Sequence, residues 1–378
     1  MSALQTHLRT GGTLASLADL GIKVRVHPEH PELHLFTYDQ IESPKAHPIV
    51  MASRGTILNA DDDWDFVCRP FDRFFNHGEG PAAALDWNTA RAYKKEDGSL
   101  CNLYFHRDRW HVATRGLPDA GGTLPYKPAG RPETTFADLF WTALFDGMGA
   151  GSTTLFALEG HEDLTFMFEL CSPYNRVVVR YPETRLILIG VRARDTGIEY
   201  NVADYIHLFP TAQLVQHWDL GNLDAVAATF RELSPLDHEG YVVCDARYNR
   251  VKVKHPGYLA LHHLKGYGAS PKRFVELIRT GEHSEFIANF PEYTDGFNEV
   301  NGRFEALVAH LEEVYAAARG IEDQKGFALA VTKEWKCRMP GVLFELRKAE
   351  KKGEATTIRQ LLASTNINGL LLSLGYKE

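Results

Sequence analysis

The sequence predicts an α+β protein, with antiparallel sheets and helices over residues 1–265 followed by an all-helical stretch over residues 266–378. Three observations carry this reading. Short apolar or alternating runs divided by turn residues recur from about Leu33 to Lys254. Beyond Lys254 the apolar residues fall instead at intervals of three and four. A Ser270-Pro271 pair, a common helix start, stands close to the change and puts a domain boundary near Lys265–Ser270.

The strand signals are Leu33–Tyr38, Leu100–Phe105, Trp110–Thr114, Thr165–Leu170, Val177–Val179, Leu186–Val191, Glu239–Cys244 and Arg250–Lys254. Each is rich in β-branched or aromatic residues and bounded by Gly, Pro, Asp or Asn. Two helices interrupt them, near Phe136–Met148 and Leu223–Leu233; Phe136, Leu139, Phe140, Leu144 and Phe145 make one apolar face. The C-terminal helices are predicted at Pro271–Thr280, Asn301–Arg319, Phe327–Arg338, Leu343–Lys352 and Ile358–Leu374. In the second, Phe304, Leu307, Val308, Leu311, Val314 and Ala318 form a stripe, and Gly320 and Gly353 serve as stops.

Composition narrows the function classes. With 378 residues, 44% of them hydrophobic, the chain can bury one large or two ordinary cores. A net charge of −8 argues against binding nucleic acid by charge alone, though basic residues gathered in one groove remain open to that role. Cys68, Cys101, Cys171, Cys244 and Cys337 are scattered without a Cys-x-x-Cys pair, which points away from zinc or disulfides and toward a reducing cytoplasm. No run approaches the roughly 18 apolar residues of a membrane span, and Met1–Thr13 has no secretory apolar core.

The strongest chemical signal is Lys95-Glu96-Asp97-Gly98-Ser99-Leu100, leading directly into a strand. Lys-x-Asp-Gly alone arises by chance in roughly one chain in ten of this length, so a plain polar turn is a serious alternative. The functional reading is a nucleophilic lysine, with Gly98 bending the backbone and Asp97 fixing the turn. A free lysine, with pKa about 10.4, is protonated at neutral pH and needs neighbouring cations or a metal ion to lose that proton. Lys252 and Lys254, two apart on one strand, point to the same face. A bound polyphosphate would give both a partner; the alternative is an edge strand guarded by lysines. Glu169 is a carboxylate in the apolar run Thr165–Cys171, and Glu239 heads Glu239-Gly-Tyr-Val-Val243. Each reads either as a ligand for ribose, metal or cation, or as half of a structural salt bridge.

The order of these parts says more than any one of them. Lys95-x-Asp-Gly, Glu169, Glu239-Gly-Tyr-Val-Val and Lys252-x-Lys254 resemble the motif series of covalent nucleotidyltransferases, the ligases and RNA capping enzymes. Ser53-Arg54-Gly55-Thr56-Ile57, Arg69-Pro-Phe-Asp-Arg-Phe-Phe-Asn76 and Pro173-Tyr-Asn-Arg-Val-Val-Val179 are similar to the phage RNA ligase 1 family, a likeness that runs from about Leu33 to Leu264. The C-terminal helices match that family in class and length, with little identity of motif.

That resemblance implies an ATP-grasp-like nucleotidyltransferase domain and an ATP-dependent RNA ligase that seals 5′-phosphate to 3′-hydroxyl ends, notably in broken tRNA. It further implies Lys95 as the adenylated nucleophile, Glu169 near the ribose, Glu239 near a Mg²⁺ or Mn²⁺ ion, and Lys252 and Lys254 on the phosphates. Arg54, Arg73 and Arg115 would be further cations of the nucleotide site, and Tyr38 a nucleotide-pocket tyrosine; Tyr258 matches a tyrosine just past the lysine pair. Lys95, Glu239, Lys252 and Lys254 form the expected catalytic set. At Arg73 and Arg115 family members can carry lysine, so a planar fork replaces a point charge here. RNA ends, among them nicked tRNA, are the implied partners of a monomer.

A DNA ligase or capping enzyme would share the core motifs but usually continues into an OB-fold of short strands, whereas helical periodicity follows here. A binding protein on an inactive core would have no need of Lys95, and AMP transfer to proteins fits the ligase-like segments poorly. In the C-terminal part, His262-His263 reads as a metal site or an RNA contact, and Lys265, Lys272 and Arg273 as an RNA contact or a solvated face. No Gly-x-x-x-x-Gly-Lys-Ser/Thr loop is present, so the chain is not expected to heal its own RNA ends.

Overall fold

The computed structural model describes residues 1–40, 42–129, 134–145, 157–265, 270–281 and 283–376. It is a mixed α/β structure that divides into two compact units, Met1–Leu259 and Ala260–Glu378.

In the first unit, β1 (Ile22–Val26), β2 (Leu33–Tyr38), β3 (Arg54–Asn59) and β4 (Asp65–Cys68) pair in chain order as an antiparallel sheet. The second sheet contains β6 (Ser99–His106), β7 (Arg109–Thr114), β8 (Leu164–Cys171), β9 (Arg185–Ala193), β10 (Glu199–Tyr200) and β11 (Gln213–Leu214). Its order is β10-β9-β8-β6-β7, with β11 added parallel to β9. The third sheet has the order β12-β5-β13-β14, formed by β5 (Arg91–Lys94), β12 (His217–Trp218), β13 (Gly240–Cys244) and β14 (Arg250–Lys254).

The period of two along β8 sorts its side chains. Phe166, Phe168 and Leu170 enter the main core with Leu139, Phe140 and Leu144 of the helix Phe136–Phe145. Met167 and Glu169 alternate with them and so take the opposite face. That helix was predicted to reach Met148; residues 146–148 lie outside the described residues. A smaller core under the third sheet gathers Ala92, Val226, Tyr241, Val243 and Val251. Val226 comes from the helix Leu223–Thr229, which Asn222 caps through a bond from the Ala225 N–H and which ends short of the predicted Leu233. All five cysteines are free thiols, and four are buried.

One predicted strand is absent. Val177–Val179 is a bend, because the N–H groups of Val178 and Val179 both donate to Asp97 Oδ2, at 2.7 Å each, instead of to a neighbouring strand. Three consecutive valines give a strand signal; the buried carboxylate overrides it.

The described elements of the second unit are helical. Pro271–Thr280 has the predicted bounds, with Ser270 as N-cap and Gly281 in the left-handed region as C-cap. The helix predicted at Asn301–Arg319 begins earlier, at Thr294, and ends at Ala318; Phe297 and Val300 extend its buried stripe. Phe327–Arg338 is replaced by a short helix, Gln324–Leu329, running into a π turn, Ala330–Glu334. The predicted Ile358–Leu374 is two helices, Ile358–Ser364 and Ile367–Ser373, because the Asn366 side chain accepts the N–H groups of Asn368 and Gly369 and caps a new start. No helix among the described residues is long and apolar enough to cross a membrane.

Candidate active site

Lys95 follows β5, and its backbone N–H donates to the Gly240 carbonyl across to β13. This hydrogen bond sets the lysine beside Glu239. Lys95 Nζ lies 2.7 Å from Glu239 Oε2, and Lys254 Nζ lies 3.0 Å from Oε1 of the same carboxylate. Glu239 is 3% exposed, so one buried carboxylate holds two ammonium groups. Burial opposes its charge, but the two lysines outweigh that and keep its pKa below the usual carboxylate value. Lys95 shows the reverse: burial disfavours its ammonium form, yet Glu239 and Glu169 prevail and hold its pKa above that of an ordinary lysine.

Gly240 sits at φ +140°, and a Cβ there would lie 2.3 Å from the Val253 carbonyl, so glycine is required after Glu239. Gly98 is required for a different reason than the expected bend. Its φ lies outside the left-handed region, but a Cβ would stand 2.3 Å from the Leu170 carbonyl of β8. The close approach lets the Gly98 N–H donate to Glu169 Oε1 at 3.1 Å, which brings Glu169 to the lysine loop. Burial pushes the Glu169 carboxyl up to about 7, with Lys95 and Arg54 pulling it back.

Asp97 anchors the loop. Besides the two valine N–H groups, it accepts the Tyr258 hydroxyl at 2.7 Å through Oδ1, while its own N–H donates to the Tyr181 hydroxyl at 3.0 Å. The Tyr181 hydroxyl in turn donates to Glu96, which also pairs with Lys94 at 3.1 Å. Tyr258 therefore holds the loop through Asp97.

Lys252 and Lys254 share one face of β14, as their spacing predicts. The extended segment Arg69–Asn76 is tied to β14, with the Lys252 N–H donating to the Phe75 carbonyl and the His77 N–H to the Lys252 carbonyl. This contact brings Phe74 beneath the cations: Lys252 Nζ is 4.6 Å from its ring centroid and the Arg54 guanidinium 5.9 Å. Lys252 Nζ also donates to the Phe74 carbonyl at 3.0 Å. Burial, together with Arg54, Lys95, Arg73 and Lys254, pulls the Lys252 pKa down to about 7. Among the described residues, Lys252, Arg54 and Arg73 have no carboxylate at ion-pair distance, and Arg54 keeps a buried guanidinium nitrogen without a hydrogen bond.

These groups face a cleft of about 990 Å³ lined by Arg54, Arg73, Lys95, Glu169, Lys252 and Lys254, among others. Glu239 meets it through its two lysines. Tyr38 and Arg115 stand behind the lining: the Tyr38 hydroxyl accepts from Arg73 at 2.9 Å, and the Arg115 guanidinium lies 5.8 Å from the Tyr38 ring centroid. Turning the Gln40 amide lets its oxygen accept from Arg115. Both therefore act on the cleft through Arg73 and Gln40.

Sequence reasoning missed Phe74, although Arg73-Phe74-Phe75 was singled out, because which aromatic faces the cations depends on the path of a segment without regular structure. It also missed Arg250, which binds Glu199 through both terminal nitrogens, at 3.1 and 2.5 Å, and lines the cleft with it. In the second unit, Arg273 bonds the Leu264 carbonyl, and Lys265 is buried with its ammonium 5.8 Å from the Phe290 ring centroid. Lys265 is thus not part of an exposed basic face. The side chain of His263 lies outside the described residues.

Comparison with known proteins gives the family of the chain. Residues 52–258 match the model of an RNA ligase family, so the chain belongs to the RNA ligases, within them to the phage RNA ligase 1 family. It is 26% identical over 378 aligned residues to an RNA ligase of Rhodothermus phage RM378, covering 80% of this chain and 84% of that one. It is 27% identical over 366 residues to a protein of Autographa californica nuclear polyhedrosis virus described as a bifunctional polynucleotide kinase/RNA ligase. That match covers 91% of this chain but 49% of the relative, so the chain spans about half the length of the viral protein. Among solved structures, an archaeal ATP-dependent RNA ligase covers 93% of the chain at 13% identity, with a TM-score of 0.46, a loose likeness.

Proposed function

We propose that the chain is an ATP-dependent RNA ligase that joins 5′-phosphate to 3′-hydroxyl RNA ends through AMP carried on Lys95, and that it serves RNA repair with broken tRNA among its substrates. The single observation that carries this reading is the Glu239 carboxylate shared by Lys95 and Lys254 at 2.7 and 3.0 Å. It stands at a cleft three of whose further cations, Arg54, Arg73 and Lys252, have no carboxylate at ion-pair distance among the described residues.

In the first step the Lys95 amine attacks the α-phosphorus of ATP, an N–P bond forms and the P–O bond to pyrophosphate breaks. The amine must first give up a proton, and Glu239 Oε2 is its nearest acceptor. Arg54, Arg73, Lys252 and Lys254 balance the charge on the phosphates, so the chain's work is positioning and charge stabilisation. In the second step an oxygen of the RNA 5′-phosphate attacks the lysyl-bound phosphorus and frees the amine. In the third, a 3′-hydroxyl attacks the activated 5′-phosphate and AMP leaves.

The carboxylate oxygens of Glu239 are hard donors suited to Mg²⁺ or Mn²⁺. A divalent ion held there would neutralise polyphosphate charge and weaken the hold of Glu239 on the Lys95 proton. Residues 1–265 are the proposed adenylyltransferase domain and residues 266–378 a helical domain that contributes to RNA binding. A monomer acting in the cytoplasm completes the proposal.

The test is to strip the purified protein of attached AMP, incubate it with Mg²⁺ and α-labelled ATP, and look for acid-stable label on the protein. Label on the wild type that is missing from Lys95→Ala supports the first step, and a comparison of RNA with DNA ends then tests the substrate. A stripped wild type that takes no label from any nucleotide overturns the proposal.

A further inference from the structure

A second cluster of chemically capable side chains lies outside the cleft. The loop between β1 and β2 carries His27, His30 and Glu32, and the β6–β7 hairpin carries His106, with His111 further along β7. His27, His30 and Glu32 are 4%, 8% and 6% exposed. The ring of His30 lies 4.8 Å from that of His27 and 5.1 Å from those of both His106 and His111, centroid to centroid. Side chains separated by up to 84 positions are thus packed into one pocket between two sheets; the core beneath it includes Leu33, Leu35, Tyr104 and Ala113.

The hydrogen bonds do not account for this packing. Both ring nitrogens of His30 are buried without a hydrogen bond, and so is Nε2 of His27. A buried imidazole is ordinarily bonded at one nitrogen at least. His30 Nδ1 is 3.9 Å from Glu32 Oε1, and His106 Nε2 is 2.9 Å from the same oxygen. One ligand atom from each of His30, Glu32 and His106 falls within 4.8 Å of the others. His27 is differently placed: its Nδ1 accepts the N–H groups of Glu29 and His30, at 3.1 and 3.2 Å, which fixes the loop that presents His30. His111 Nε2 contacts the His106 carbonyl at 3.3 Å, bracing the strand that carries His106.

We infer that His30, Glu32 and His106 form a zinc site that clamps the β1–β2 loop to the β6–β7 hairpin. Two imidazoles and one carboxylate are a ligand set Zn²⁺ accepts, with water in the fourth position. The Arg107 guanidinium, 2.9 Å from Glu32 Oε1, occupies part of the space; its side chain is 62% exposed and can turn outward. None of the three ligands lines the cleft, so the site acts on stability rather than on the cleft chemistry.

The test uses the full chain, stripped of metal and then titrated with Zn²⁺ against a chromophoric chelator. Thermal melting is followed in parallel. We expect one Zn²⁺ bound per chain with micromolar or tighter affinity, and a melting temperature raised by about 5 °C at saturating metal. His30→Gln with His106→Gln should weaken binding by at least the ~100-fold that losing an outer-shell partner alone can cost. It should also abolish the thermal shift, and circular dichroism reports whether the variant folds. Glu32→Gln, a milder change, should weaken binding in the same direction. Co²⁺ in place of Zn²⁺ should give visible d–d bands in the wild type that the double variant lacks. No stoichiometric uptake by the wild type, or uptake and thermal shift unchanged in the folded double variant, overturns the inference.

Discussion

Lys95 and Glu239 stand 144 positions apart in the chain and form a largely buried ion pair, Nζ to Oε2 2.7 Å, in which the second oxygen of the same carboxylate holds Lys254. Lys95, the proposed nucleophile, is thereby held in its charged form. Its positive charge is stabilised by the carboxylates that would accept its proton, so activation requires the negative charge of Glu239 to be countered.

That dependence gives the first prediction. In Glu239→Gln the largest force holding the Lys95 proton is removed, so the Lys95 pKa falls and the acid limb of lysyl-AMP formation moves to lower pH. The maximal rate should still fall, by about 100-fold, because the positioning of the phosphates and of a divalent ion is lost. Single-turnover labelling across pH measures both. An acid limb that stays where it is in the wild type would sink this account of the ion pair.

Asp97 supports the second. It accepts two backbone N–H groups and the Tyr258 hydroxyl, all at 2.7 Å, in a buried setting. Asp97→Ala leaves all three donors without this acceptor and should cost about 3 kcal/mol of unfolding free energy. Tyr258→Phe, losing one bond, should cost about 1 kcal/mol. Urea denaturation of the two variants, at an unchanged m-value, tests the difference; equal midpoints would remove Asp97 as the anchor of the loop.

Gly98→Ala is the third. The added methyl meets the Leu170 carbonyl at 2.3 Å, a backbone atom that cannot turn aside, so the loop must lift away from β8. The expected cost is about 3 kcal/mol, and the Gly98 N–H bond to Glu169 is lost with it. Lysyl-AMP formation should fall in the folded fraction as well as in yield. A variant with wild-type stability and label would show that the close approach is not needed.

What could be read from the sequence followed from local spacing. Lys252 and Lys254 two apart on a strand, Glu169 within an apolar run, and the helix Pro271–Thr280 between Ser270 and Gly281 are each set by neighbours in the chain. What could not be read depended on distant partners. Val177–Val179 has the composition of a strand and is bent by Asp97, some 80 positions away. Ile358–Leu374 has one continuous apolar pattern, yet Asn366 divides it by capping. The motif places Tyr38 at the nucleotide pocket but does not give the depth of its side chain, whose hydroxyl accepts from Arg73. The His30, Glu32 and His106 cluster left no sequence signal, since its members sit on a loop and on the end of a strand more than 70 positions apart.

Lys252 provides the last prediction, through proton linkage. Its pKa of about 7 in the free protein lies well below that of an ordinary lysine, about 10.4. The charged form is therefore disfavoured by folding: below pH 7 the lysine is charged in both states and the full destabilisation applies, and this fades as pH rises from 7 toward 10.4, where the unfolded chain also loses its proton. Lys252→Met should accordingly raise the melting temperature of the ligand-free protein at pH 6 and change it little at pH 10. Polyphosphate binding reverses the preference, because phosphate oxygens supply the partner the ammonium lacks. At pH 8, where Lys252 is mostly neutral, ATP binding should draw up to about one proton from the buffer; at pH 6, where it is already charged, that uptake should be absent. Calorimetric titration in buffers of different ionisation enthalpy counts that proton. Equal uptake by Lys252→Met and wild type at pH 8 would show that the proton belongs to another group and that Lys252 does not meet the phosphates.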